Sequence, residues 1–292
     1  MINFRYHIVS IAAILIALAA GIALGSGPLD DAGSTLRGDD DNSETVDPGL
    51  TAFETSYADR TSGALLKDVL KGQSVVLLTV PGTSAAEVKS ITSDLQAGGA
   101  EVTGEAELTA KLLDSSGRQF AEGVAQQAAS DVPGVSTAGD SYGRIGAALS
   151  RAFLNDTTAE VDPIAATIRS AFSEGELVTL TAAPKKLATL AVLVTGPARA
   201  GGSDQSTVIA ALAAALNGGG KGVVVAGPSS SSNDGGAVQA VRDSAVSAEV
   251  STVDVTDSAA GRVLTALAAA QQVAGNPGAW GTPRSADGAL PQ

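Results

Sequence analysis

From Ile8 to Leu24 the chain reads IVSIAAILIALAAGIAL, 17 residues in which only Ser10 carries a side chain able to hydrogen-bond. At 1.5 Å per residue a helix of that length nearly crosses a hydrocarbon layer of roughly 30 Å. Met1 to Gly27 is therefore expected to be a transmembrane helix. Arg5 and His7 precede the apolar run, whereas residues 30–59 hold nine acidic side chains against one basic one, Arg37. Basic residues favour the cytoplasmic side of a membrane. Arg5 and His7 thus orient the N-terminus inward and send about 265 residues across.

A cleaved signal peptide shares the basic start and the apolar middle, and Ala23-Leu24-Gly25 could serve as its cut. The run exceeds the 7–15 residues usual for such peptides, which favours a retained anchor. Ala13, Ala17, Gly21 and Gly25 recur every fourth residue. Such a row lets two helix backbones approach closely enough for dispersion contacts to drive association. The plainer reading is that small residues are simply common in membrane helices.

Beyond the anchor, residues 28–50 combine Pro, Gly and seven acids with few apolar side chains, too few to offset the entropy of folding alone. They are expected to form a flexible acidic linker; Asp39-Asp40-Asp41 lacks the ligand spacing of a calcium loop. Residues 51–71 have a helical pattern, with Phe53, Tyr57, Ala64, Leu65 and Val69 sharing one broad apolar side. This segment is expected to be a helical stalk feeding the domain.

Residues 72–274 alternate apolar strands with apolar helices. Ser74 to Val80 is an unbroken strand run ended by Pro81-Gly82. Ser84-Ala-Ala-Glu87 is a capping box, and Gly98-Gly99 closes the helix it opens. Ala100 to Thr103 follows as a strand, giving the strand–helix–strand order of a parallel unit. From Glu107 to Phe172 the chain has helical pieces broken near residues 131–134 and 156–162.

Leu187–Thr195, Gly222–Ala226 and Val250–Val253 are expected strands. Ser203–Leu216, Gly236–Ser247 and Ser258–Val273 are expected helices. Val-rich runs without alternation suit strands covered on both faces. The fold class expected is α/β, an extracytoplasmic domain with a mainly parallel, Rossmann-like sheet flanked by helices. It could divide into lobes at 72–180 and 181–274. Residues 275–292 form a Gly/Pro-rich tail holding Trp280, the single tryptophan, whose ring could dock it.

Little in this domain suggests catalysis. Ligands of open α/β sheets gather at the carboxyl ends of strands, here the loops after Val80, Thr195 and Ala226, and none has the glycine spacing of a phosphate-binding fingerprint. Gly220-Lys221 resembles the end of a Walker loop, but Ala215 stands where its first glycine belongs and Gly222 replaces the hydroxyl residue. Residues 229–234, SSSSND, could line a polar pocket or form ordinary surface turns.

His7 is the only histidine and lies before the apolar run, and there is no cysteine, so Ser-His-Asp and Cys-His pairs cannot be assembled in the outer domain. Copper prefers Cys, Met and His ligands. The chain offers Met1 and His7 alone, so neither a cofactor nor a resident metal site is expected. A net charge of −13 disfavours nucleic acid as a partner.

The opening string MINFRYHIVSIAAILIALAAGIALGSGPL closely resembles the start of the actinobacterial MctB family. The likeness continues through LKDVLKGQSVVLLTVPG, the segment Gly98 to Gly104, and STVDVTDSAAGRVLTALAAAQQVAG. It implies a cell-envelope protein of copper efflux and copper ion homeostasis, described as pore-forming in an outer membrane, with no catalytic residues to carry over. Family members have a long heptad-rich segment after the helix, where this chain has an acidic linker. Copper would be at most a transported ion, with the lipid bilayer, further copies of the chain and other envelope proteins as partners. The alternative expectation is an envelope scaffold docking cell-wall or cell-division proteins without transporting copper.

Overall fold

The computed structural model describes residues 47–133, 135, 139–199, 201, 203–282 and 285–291. The expected transmembrane helix and nearly all of the acidic linker, with Ala13, Ala17, Gly21, Gly25, Arg5 and His7, lie outside them. Among the described residues no helix is long and apolar enough to cross a membrane. Pro48–Gln292 forms one compact unit.

The unit opens with α1 (Pro48–Leu65), earlier by two residues than the linker was expected to end. Strand β1 (Ser74–Thr79), helix α2 (Ala85–Ala97) and strand β2 (Glu101–Leu108) then make the expected parallel unit. The Ser84 side chain accepts the Glu87 amide at 3.4 Å, as a capping box requires. The Glu87 carboxylate instead accepts from the Thr256 hydroxyl at 2.9 Å, tying α2 to the far end of the sheet. Gly99 ends α2 with φ +90°, a left-handed conformation that glycine adopts without a Cβ clash.

Short helix α3 (Ala110–Leu113), a 3₁₀ turn at Ser115–Gly117, α4 (Arg118–Ala128) and α5 (Ser141–Phe153) follow. After them come β3 (Ala159–Glu160), α6 (Pro163–Glu174), β4 (Val178–Ala182) and β5 (Lys186–Leu187). The chain closes through β6 (Leu190–Val194), α7 (Ser203–Asn217) and β7 (Val223–Ala226). A 3₁₀ turn at Ser229–Ser232, α8 (Ala237–Arg242), β8 (Ser251–Val253), α9 (Ala259–Val273) and β9 (Ala279–Trp280) complete it.

Seven of the described strands form one sheet in the order β4-β2-β1-β6-β7-β8-β9, parallel throughout except for β4, which runs antiparallel at the edge. β3 and β5 pair separately. Because β1 hydrogen-bonds to both β2 and β6, one sheet joins residues of both stretches expected as lobes.

The central strands β1, β6 and β7 are buried on both faces. Val76, Leu78, Ala191, Leu193, Val223 and Val225 point into a core shared with α4 to α8. Val75, Leu77, Leu190, Val192, Val224 and Ala226 point into a second core beneath α2 and α9. Burial on both faces is why the runs showed no alternation. The alanine-rich helices permit close packing: a Cβ on Gly146 of α5 would collide with Ala215 of α7.

One sequence expectation is corrected and one strand is added. The helix expected over Gly236–Ser247 stops at Arg242, where a string of turns begins. β4 was missed because its burial alternates irregularly at a sheet edge. The sequence left open which way the apolar side of α1 faces. Leu50, Phe53 and Tyr57 are 63%, 66% and 61% exposed, and Ala64 and Leu65 are exposed too. The buried residue of α1 is Ala58, while Leu66 and Leu70, just past the helix, enter the core.

Candidate functional site

In this sheet the chain leaves β1 toward β2 on one side and returns to β6 on the other, so the topological switch point lies between the loops after β1 and β6. That crevice is where an open α/β fold ordinarily binds a ligand. Here the two loops close on each other. The Thr83 hydroxyl lies 2.8 Å from the Val80 carbonyl and 3.0 Å from that of Val194. A Cβ on Gly196 would sit 2.7 Å from the Gly82 carbonyl, so the backbones already touch. Arg199 donates to the Pro81 carbonyl at 3.1 Å and lies over Gly82. The cavity left is about 40 Å³, little more than the roughly 30 Å³ share of one water.

Beside it a polar hollow of about 380 Å³ is lined by Asp114, Ser115, Ser116, Arg199, Asp204 and Gln205. Gln205 Nε2 donates to Asp114 at 2.7 Å, joining the α3–α4 turn to the first turn of α7. Nearby, the Tyr142 hydroxyl is buried without a hydrogen-bond partner. Burial raises its pKa, and the Asp114 and Asp204 charges raise it further against the lowering effect of Arg118. The phenol therefore stays neutral at physiological pH. The hollow holds charges of both signs together with the hydroxyls of Ser115 and Ser116, a lining suited to hydrogen bonding.

The far end of the same edge is filled by the chain itself. Asp254, directly after β8, is fully buried beside Arg242 of α8 at 3.0 Å. Arg242 also donates to Thr252, Ser285 and the Trp280 carbonyl at 2.9, 2.9 and 3.1 Å. Thr282 gives Asp254 two hydrogen bonds of 2.8 Å. The bonds to Trp280, Thr282 and Ser285 hold the tail onto the sheet, and those from Arg242 to Thr252 and Asp254 join α8 to β8.

Of the loops proposed from sequence, the SSSSND stretch becomes a 3₁₀ turn in which the Ser231 side chain is buried and Ser229 bonds Asp257. Asp234 instead helps line a groove of about 600 Å³ between α7 and α8. Ala210, Ala211, Ala214, Ala240, Val246 and Asp243 line it too. Sequence periodicity gave no sign of this groove, which exists because small side chains on two neighbouring helices leave space unfilled. Lys221, from the rejected Walker-like string, donates to Gln73 at the amino-terminal edge of the sheet, away from the crevice. Among the described residues no group of three or more His, Cys, Asp or Glu is placed to hold a metal ion.

The family model for "Copper transport outer membrane protein, MctB" matches residues 1–291. The chain belongs to the MctB family. It is similar to the copper transporter MctB of Mycobacterium leprae (strain TN), 30% identical over 126 residues, 39% of this chain and 40% of the relative. The copper transporter MctB of Mycobacterium tuberculosis (strain ATCC 25618 / H37Rv) matches with the same identity and coverage. The aligned part thus spans about 40% of the curated relatives' length. This MctB member therefore presents a closed switch point, a small polar hollow and an alanine-lined groove on a domain whose sequence holds no cysteine.

Proposed function

We propose that this chain is a non-enzymatic cell-envelope component of copper ion homeostasis, with an external α/β body held at a lipid bilayer by Met1–Gly27. It works as a homo-oligomer together with other envelope proteins. The observation that carries the copper role is the family match across residues 1–291. Copper enters as cargo, because the only thioether and the only imidazole in the sequence, Met1 and His7, precede the apolar run. Oligomerisation follows from the same premise, since one helix cannot enclose a path through lipid.

Deleting the gene should raise cellular copper severalfold under copper load, measured by elemental analysis, and the intact gene should restore it. Unchanged copper content would end the copper reading.

A second reading, an envelope scaffold, is favoured by the α7–α8 groove, which is largely apolar, open and lined in part by Asp234 and Asp243. Under it, Ala211→Trp would fill the groove and release a co-purifying envelope protein while cellular copper stays constant.

A further inference from the structure

The described chain leaves one row of large apolar side chains uncovered, and it lies on α1. Leu50, Phe53, Tyr57 and Ala64 fall at intervals of three, four and seven residues, all exposed. Phe53 and Tyr57 stack with ring centroids 6.2 Å apart. The same helix already has a partner on another side. Ala58, about 100° around the helix from Tyr57, is its buried residue, and the Glu54 carboxylate accepts the Ala260 amide of α9 at 3.4 Å. The apolar row therefore belongs to something outside this domain.

We infer that its occupant is α1 of a second copy, paired in parallel to form a short two-helix seam. Three observations select that occupant. Intervals of three and four are the spacing by which one helix packs against a copy of itself. Charge points the same way. The chain carries −13 overall, so two copies repel over most of their surface, whereas α1 holds only Glu54, Asp59 and Arg60 and is nearly neutral. Arg60, in the same row between Tyr57 and Ala64, provides the single polar layer that fixes register at some cost in stability.

Area supplies the third argument. Leu50, Phe53 and Tyr57 expose roughly 400 Å² per copy, taking 150–250 Å² for each aromatic ring. That is about half of what each side of a standard stable interface buries. The seam is therefore weak alone and forms when two copies are already held together. This step rests on the anchoring proposed above: two chains in one bilayer present their α1 helices in the same direction, and tethering converts the encounter into one at roughly millimolar effective concentration.

The absence of cysteine allows a direct test in the full chain. Single variants Leu50→Cys, Ala64→Cys, Ala52→Cys and Thr55→Cys are made, and the membrane and soluble fractions of lysed cells are each oxidised with diamide. Leu50→Cys and Ala64→Cys should each give a dimer-sized band on non-reducing gels, severalfold stronger than Ala52→Cys or Thr55→Cys, which lie off the row. Adding Phe53→Ser and Tyr57→Ser to Ala64→Cys should reduce that band severalfold. Equal cross-linking at all four positions, or none at 50 and 64, overturns the seam. Cross-linking at 50 and 64 by protein found in the soluble fraction would keep the seam and remove the anchoring. Membrane-bound protein without cross-links would do the reverse.

Discussion

At the scale of single residues, stability rests on a few buried polar groups whose partners come from distant parts of the chain. Asp254 has no solvent access, so its charge is tolerable only because Arg242 and Thr282 surround it. Asp254→Ala should destabilise the domain by about 3–5 kcal/mol, read by urea unfolding, because it leaves the Arg242 guanidinium buried and uncompensated. Arg169 is a second buried cation, donating to the Ala152 and Pro184 carbonyls at 2.7 and 2.6 Å over the Phe153 ring. Its burial lowers its pKa, yet an arginine keeps its charge throughout the working range. Asp162 behaves differently. Burial opposes its ionisation, but the Ala165 amide and Arg151 at 2.7 Å outweigh that, so its pKa is lowered below 3.8. A depressed carboxylate pKa stabilises the fold above the unfolded value, and that contribution disappears as pH falls through the folded value. Asp162→Asn keeps the helix cap but not the charge. Its stability deficit relative to wild type should be present at pH 6 and should shrink as the pH falls below the unfolded carboxylate value and through the lower folded one. A deficit that does not shrink on acidification would show that Arg151 contributes nothing through charge.

At the scale of elements, those whose burial is set by their own neighbours were legible. β1, β6 and β7 appear close to where unbroken Val and Leu runs put them, β8 lies within its expected stretch, β2 starts as expected but continues to Leu108, and α2, α7 and α9 lie close to their expected bounds. Ser258 caps α9 by accepting the Gly261 amide at 2.9 Å, as a serine at that position should. Elements that depend on remote partners were not legible. β9 is two residues in a Gly/Pro tail and exists because Thr252 and Val253 pair with Ala279 and Trp280. Its one sequence signal was the lone tryptophan, whose expected docking holds: Trp280 is 7% exposed in the core beneath α9. Trp280→Ala should cost about 3–5 kcal/mol and make the tail protease-sensitive; an unchanged urea midpoint would mean that the tail is only an appendage. α1 was legible as a helix, but which way its apolar side faces was not. Its pattern was apolar on one side, but periodicity cannot say whether that side meets this chain or another.

At the scale of the whole molecule, the sheet runs without interruption from β4 to β9, so the two halves share one core on each face. Chemical unfolding of the domain, followed by Trp280 fluorescence and by far-ultraviolet dichroism, should therefore give one coincident transition. Separate midpoints would indicate lobes that unfold independently. The sequence by itself determined the fold class, the apolar N-terminal run and the lack of soft metal ligands in the outer domain, because composition and local period encode these without reference to anything distant. Tertiary structure alone decided that the switch-point crevice is shut, that the tail completes the sheet and that α1 turns its rings outward. Each of those depends on which surfaces meet, and two segments far apart in sequence carry no local mark of the contact they will make.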